Sequence, residues 1–358
     1  MMRTIFVVET PLQMLNAIEA KHALDLGECW LVVILSDPFP EKVFLPLLAF
    51  ADWKGVEYLH VTHRFNPVNL DWLGRSVSER LNEYVKESRQ LIKHLRFDRL
   101  AARWGDVDNV VLGNLFAGYM QHLANRVRSD RVYLVDDGTD TLRVNTLRQR
   151  NPAAVPAPAH VSPLRRAKDR FRRAFLDWDT SPVDSVTFFT SYNLETRPED
   201  RSIKNDYGFW RSRLENAPRR DAVYFLGQPL VEDGYLGPDT YLDALADVVA
   251  FYAGENFVYL THRRESQANV EAIKARGISV GSFELPIELQ MLTDGIPKEL
   301  ASFFSTALDN GRIIFGSAMP VTAFRIPRGK FIPGHEFVDD IYDYFNASSG
   351  THFRVLAL

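Results

Sequence analysis

Val132-Tyr133-Leu134-Val135-Asp136-Asp137-Gly138-Thr139 is the stretch that decides how this chain of 358 residues folds. A β-branched and aromatic run stops at two adjacent carboxylates, and the glycine after them tolerates a sharp turn. In an open α/β sheet, ligands bind outside the carboxyl ends of the strands, and that rule puts Asp136 and Asp137 at a site. Two neighbouring carboxylates divide into different roles, because each ionised group makes the other costlier to ionise. A general base is one such role. The same residues also read as a plain Asp-Asp-Gly turn between a strand and a helix. Side chains alternate along a strand, so one of the pair is expected to point into a site, and which one stays open.

Working outward, strand-like and helix-like segments alternate on both sides of this run. Residues 3–8, 30–35, 56–61 and 107–112 read as strands. Residues 11–26, 44–50, 76–95 and 117–128 read as helices, the third with Leu81, Val85, Ile92 and Leu95 on one stripe. After the polar stretch 196–220 the pattern resumes, with strands at 222–226, 257–260, 278–281, 301–304 and 312–315. Helices are expected at 241–252, 270–275, 285–292 and 337–345. Such alternation builds parallel sheets with helices on both faces. The expected architecture is α/β: two Rossmann-like parallel-sheet domains, residues 1–215 and 216–358, with a cleft between them.

Composition narrows the class. Hydrophobic residues at 46 % and charged residues at 25 % match ordinary globular usage and argue against global disorder. A net charge of −4 argues against a nucleic-acid-binding surface. The single cysteine, Cys29, sits in a strand-like run; it excludes an internal disulfide and reads as a core residue. The first eight residues run straight into a strand pattern that Glu9 and Pro11 interrupt, which is not a signal-peptide pattern. No stretch of 18 apolar residues occurs, so the expected location is the cytoplasm.

One segment breaks the alternation. Residues 143–175 carry Lys168 and eight arginines, from Arg143 to Arg173, against Asp169 alone, and Pro152, Pro156, Pro158 and Pro163 loosen their first part. From Pro163 onward, Leu164, Ala167, Phe171, Ala174 and Phe175 share one helical face. A basic amphipathic helix lies on an anionic membrane surface or grips an anionic substrate, so peripheral inner-membrane contact through 164–175 is one expectation. A solvated helix packed on its own domain is the other.

Several nucleotide and metal signatures are missing. There is no G-x-G-x-x-G, no G-x-x-x-x-G-K-[ST], no H-E-x-x-H, no cysteine pair and no G-x-S-x-G. What stands at the expected strand ends is a set of polar residues: Thr10 and Gln13 after the first strand, Gln228 after Leu226-Gly227, His262 after Tyr259-Leu260-Thr261, and Ser305-Thr306 after Phe303-Phe304. A histidine with two hydroxyls suits a phosphate, the imidazolium supplying charge and the hydroxyls supplying donors.

In combination these segments resemble the bacterial lipooligosaccharide sialyltransferases and the related capsule polysialyltransferases. Asp136-Asp137-Gly138 is similar to their Asp/Glu-Asp/Glu-Gly motif, and Tyr259-Leu260-Thr261-His262-Arg263-Arg264-Glu265 to their His-Pro-Arg-Glu segment. Leu226-Gly227-Gln228-Pro229-Leu230, Pro286-Ile287-Glu288 and Ser305-Thr306 resemble the opening, Pro-x-Glu and Ser/Thr elements of their donor domain, in the same order. Thr10-Pro11-Leu12-Gln13 looks like their N-terminal signature. Arg263 stands where the family has proline, which changes the backbone restriction at His262 and adds a charge.

The resemblance implies a GT-B fold and an inverting transfer of sialic acid, or a related nonulosonic acid, from a CMP-activated donor to a glycan or glycolipid hydroxyl. No metal or other cofactor is implied, and Asp106-Val107-Asp108, a D-x-D sequence, precedes a strand instead of ending one. It implies Asp136 or Asp137 as the base, and His262, Ser305 and Thr306 on the leaving phosphate. Gly227, Gln228, Arg263 and Glu288 would hold the donor, and Thr10 and Gln13 the acceptor. Transfer of another nucleotide sugar in surface-polysaccharide synthesis, and a non-catalytic binding protein of the same fold, are the competing expectations. A homodimer is left open.

Overall fold

The structure is a computed structural model that describes residues 1–36, 39–60, 96–138, 140–151, 179–335 and 337–358. The expected helix at 76–95 and the basic amphipathic segment 164–175 lie outside the described residues. The chain divides into two compact units, Met1–Asn205 and Asp206–Leu358.

The first unit is built on seven parallel strands: β1 (Arg3–Val8), β2 (Glu28–Leu35), β3 (Gly55–His60), β4 (Asp106–Leu112), β5 (Arg128–Val135), β6 (Thr187–Thr190) and β7 (Arg201–Lys204). Their order is β3-β2-β1-β4-β5-β6-β7. Strands covered on both faces read as continuous apolar runs, and β1 and β2 do so, while β4 turns apolar only over Val110–Leu112. Ile5, Val7, Val32, Val110, Leu112, Leu134 and Phe188 form one contiguous core with Met120, Leu123 and Val144 from the helices. The Tyr133-Leu134-Val135 run is the buried end of β5, with Leu134 opposite Leu112 of β4 and Phe188 of β6.

The second unit holds β8 (Arg219–Leu226), β9 (Phe257–Leu260), β10 (Ser279–Gly281), β11 (Ile296–Ser302), β12 (Val321–Arg325) and β13 (Phe353–Ala357), again all parallel, in the order β10-β9-β8-β11-β12-β13. Both sheets therefore grow outward in one direction and then reverse. The reversal falls between β1 and β4 in the first unit and between β8 and β11 in the second, and it is at such switch points that open α/β sheets bind ligands.

One expected strand is a helix. Residues 312–315 close the helix Thr306–Phe315, whose apolar face buries Leu308, Ile314 and Phe315. A short apolar run cannot by itself distinguish a buried strand from the inner face of a helix. Strands β6, β7, β12 and β13 had no counterpart in the sequence reading. Among the described residues, no helix is long and apolar enough to cross a membrane.

Candidate functional site

At the carboxyl end of β5 the two aspartates separate. Asp136 is 3 % exposed. Its Oδ2 accepts from the backbone N–H of Ser191 at 2.7 Å and from the Ser191 hydroxyl at 3.0 Å, and its carbonyl accepts from Asn16 Nδ2 at 3.0 Å. Burial raises its carboxyl above the usual carboxylate range, against the opposing hydroxyls of Thr190, Ser191 and Thr141. Asp136 thus ties β5 to the turn after β6.

Asp137 points the other way, as alternation requires. Its Oδ2 accepts from Gln13 Nε2 at 2.8 Å and from Asn114 Nδ2 at 2.6 Å. Burial pushes its carboxyl up to about 6, with Asp140 and Glu9 adding to the rise and the two amides opposing it. A carboxyl that titrates just below neutrality is ionised at pH 7 yet still a useful proton acceptor. The turn after it needs Gly138, whose φ of +58° lies in the left-handed region.

Gln13 reaches this carboxylate from the first turn of the helix Pro11–Ala23. Thr10 caps that helix by accepting the Gln13 N–H at 3.1 Å, and Pro11 fills the first helical position, where no N–H is needed. Gln13 is 1 % exposed, and its carboxamide is engaged at both ends: Oε1 accepts the Glu9 N–H at 2.8 Å while Nε2 holds Asp137. Gln13 thus uses one carboxamide N–H on Asp137 and one oxygen lone pair on the Glu9 N–H, bracing the carboxylate from within the unit. Gly113, at the end of β4, makes room for it; an added Cβ would overlap the Gln13 carboxamide. Tyr119 donates to Glu9 at the rim of the same cluster.

The second unit carries its polar groups at the equivalent edge. Gln228 follows β8, and its Oε1 accepts the Phe304 N–H at 2.9 Å and the Ser302 hydroxyl at 3.2 Å, bridging the switch point. Ser305 caps the helix Thr306–Phe315, its oxygen accepting from the Ala307 N–H at 3.3 Å, which leaves its proton for another acceptor. Thr306, the first helical residue, is exposed. A helix N-terminus with a hydroxyl cap is suited to an anion.

His262 follows β9. Its backbone N–H donates to Glu265 Oε2 at 2.5 Å, and its Nδ1 accepts the Arg264 N–H at 3.2 Å. That second bond makes Nε2 the protonated nitrogen. Burial, then Arg264 and Arg263, push the imidazole down to about 4. The expected imidazolium is therefore corrected to a neutral ring with an Nε2–H donor. Arg264 is engaged in a two-pronged pair with Asp233, at 2.9 and 2.8 Å, while Arg263 is exposed.

Two residues differ from their expected surroundings. Glu288 is 5 % exposed and accepts from Asn310 Nδ2 at 2.9 Å, joining the helix Ile287–Asp294 to the helix Thr306–Phe315; burial raises its carboxyl. Arg148, read as part of the basic segment, is 1 % exposed and pairs with Asp200 at 2.8 and 2.7 Å while donating to the Val183 carbonyl. It is a core ion pair and not a binding surface.

The sequence reading missed Asn114 and underused Glu265. Asn114 was visible by the same strand-end rule, since it follows β4, the strand beside β1 at the reversal. Glu265 accepts from the Tyr259 hydroxyl at 2.5 Å and from Asn269 Nδ2 at 3.2 Å besides holding the His262 backbone, and burial pushes it up to about 7. Gly227 packs against Tyr259 and Glu265, with no space for a Cβ.

Comparison with known proteins places the fold. No protein-family model matches the chain, and no curated protein matches it in sequence. Among solved structures, UDP-GlcNAc 2-epimerase from Methanocaldococcus jannaschii overlays with a TM-score of 0.52 and 10 % identity, covering 99 % of this chain and 89 % of that one. The Arabidopsis thaliana protein UGT89C1 complexed with UDP overlays with a TM-score of 0.50 and 12 % identity, covering 99 % and 86 %. An alpha/beta-galactoside alpha-2,3-sialyltransferase from the luminous marine bacterium Photobacterium phosphoreum gives a TM-score of 0.45 and 11 % identity, too low to support a conclusion about this chain. The fold is α/β of the GT-B type, two Rossmann-like parallel-sheet units, as found in glycosyltransferases and in nucleotide-sugar epimerases.

Proposed function

We propose that this chain is an inverting, metal-independent glycosyltransferase that moves sialic acid, or a related nonulosonic acid, from a CMP-activated donor to a glycan hydroxyl, as in lipooligosaccharide or capsule synthesis. The observation that carries the reading is the Asp137 carboxyl, pushed up to about 6 at the switch-point edge of a GT-B unit and held by two amides through one oxygen only. Asp137 takes the proton of the acceptor hydroxyl as its oxygen attacks the anomeric carbon. The bond from that carbon to the CMP phosphate oxygen breaks, and negative charge collects on the leaving phosphate. The His262 Nε2–H, the Ser305 hydroxyl, Thr306 and the helix N-terminus behind them supply donors for that charge. Gln228 adds carboxamide N–H groups that have no partner among the described residues, and Glu288 acts through the helices it joins.

The competing nucleotide is UDP, because the two overlaid structures are named for UDP or a UDP-sugar. Calorimetry with CMP, UDP and GDP separates the readings. CMP binding in preference to the others, followed by transfer from CMP-nonulosonates in a screen of glycan acceptors, is the expected result. Binding of UDP alone points to a UDP-sugar enzyme, and binding of none of the three points to the non-catalytic alternative.

A further inference from the structure

We infer that Asn114 is a positioning residue for the transfer step: with Gln13 it clamps one carboxylate oxygen of Asp137, leaving the other as the atom that takes the acceptor proton. The inference rests on the proposed role of Asp137 and goes beyond it.

The geometry fixes both amides before they meet the carboxylate. Asn114 Oδ1 accepts the Phe116 N–H at 2.6 Å, so Nδ2 must face Asp137. Gln13 Oε1 accepts the Glu9 N–H, so Nε2 must face the same oxygen. The two backbone donors come from the loops after β4 and β1, the strands that flank the reversal of the sheet. Asp137 Oδ1 takes no hydrogen bond among the described residues. An amide oriented by main chain is a pre-set dipole, and two of them on one oxygen restrain the torsion of the carboxyl as well as its charge.

The charges around Asp137 explain why two donors are needed. Glu9 after β1 and Asp140 at the start of the helix Asp140–Arg150 both work against ionisation of Asp137. Tyr119, from the helix Gly118–Arg126, donates to Glu9, and Arg143 pairs with Asp140 at 2.7 Å. Asn114 Nδ2 also lies 3.4 Å from Asp140 Oδ2, so it sits between the two carboxylates and stabilises both as anions. Without it, Asp137 meets a negative neighbourhood with one donor in place of two.

The test reads Asp137 directly. In the full chain labelled with carboxyl-13C aspartate, the Asp137 resonance is assigned by its loss in Asp137→Asn and titrated against pH. The parent midpoint is expected near 6. Asn114→Ala should move it upward by about one pH unit, the order of one lost hydrogen bond to a charged group. Asn114→Ser, which keeps a shorter donor, should fall between, and Gln13→Ala gives a second reading if the alanine variant at 114 does not fold. In turnover, the acid limb should shift upward equally, so the loss at pH 6 exceeds the loss at pH 8.5 about fivefold, in kcat and not in KM. An unmoved midpoint in folded Asn114→Ala overturns the inference whether or not transfer is found. A moved midpoint without transfer from any donor supports the clamp and counts against the transferase reading instead.

Discussion

Replacing Asp137 by asparagine separates what the carboxyl does from where it sits. The amide oxygen of the Asp137→Asn variant still accepts from Gln13 Nε2 and Asn114 Nδ2, which reach the parent oxygen at 2.8 and 2.6 Å, so the local fold is kept. The carboxyl's usual value of 3.8 is lifted to about 6 by burial. That gap corresponds to roughly 3 kcal/mol, at about 1.4 kcal/mol per pH unit. The folded chain holds this proton more tightly than the unfolded one. Its contribution to stability is therefore complete below pH 3.8 and is lost as the pH rises through about 6. Asparagine carries no such penalty. The variant should melt roughly 5–10 °C above the parent at pH 8, where the penalty is complete, and show no gain at pH 4. Turnover should fall by about 10²–10⁴, the usual worth of a general base. Thermal melts at the two pH values with parallel rate measurements decide it. Equal melting at pH 8, or turnover within about tenfold of the parent, would refute the reasoning.

The other predictions follow from the same groups. Asp136→Ala leaves the Ser191 N–H and hydroxyl without their acceptor, and urea titration should show a loss of about 2–3 kcal/mol, opposite in sign to Asp137→Asn at pH 8. Arg148→Ala strands the buried Asp200, whose carboxyl burial alone would raise but Arg148 and Arg197 hold below the usual range. A cost of about 3–5 kcal/mol is expected, and a change below about 1 kcal/mol would contradict a core role. His262→Ala should lower turnover by about 10²-fold or more while the acid limb near 6 stays in place, because the imidazole titrates near 4 and Asp137 near 6. Loss of that limb in His262→Ala would reassign it to the histidine.

How much of this was legible in the sequence depended on how local each cause is. The end of β5 could be read because a run of Val, Tyr and Leu into two carboxylates needs no distant partner. The division of labour between Asp136 and Asp137 could not, because Ser191, which captures Asp136, lies after β6, beyond a segment with no strand pattern of its own. Gln13 was found as a strand-end residue, but its direction is set by the Glu9 N–H and by the space Gly113 leaves, neither of which has a sequence signature. Arg148 looked like its arginine neighbours until Asp200 supplied a buried partner. Residues 312–315 failed for the opposite reason: the local pattern was strand-like, and a capping serine at 305 with burial of one helix face decided otherwise.

The two units repeat one device, and the repetition explains why carboxamides stand at both strand ends. In each sheet a glutamine follows the first central strand, Gln13 after β1 and Gln228 after β8. Each spends its Oε1 on a backbone N–H, that of Glu9 in one case and of Phe304 in the other. A carboxamide fixed by its oxygen must present its NH₂ in the remaining direction. In the first unit that NH₂ meets the carboxylate of Asp137; in the second it meets no protein acceptor among the described residues. A glutamate at either position would turn an acceptor toward the anion and add a charge beside it. Glutamine is thus a side chain that answers a negative charge while satisfying the main chain behind it, and on the proposed function the Gln228 NH₂ would serve the donor phosphate as the Gln13 NH₂ serves Asp137.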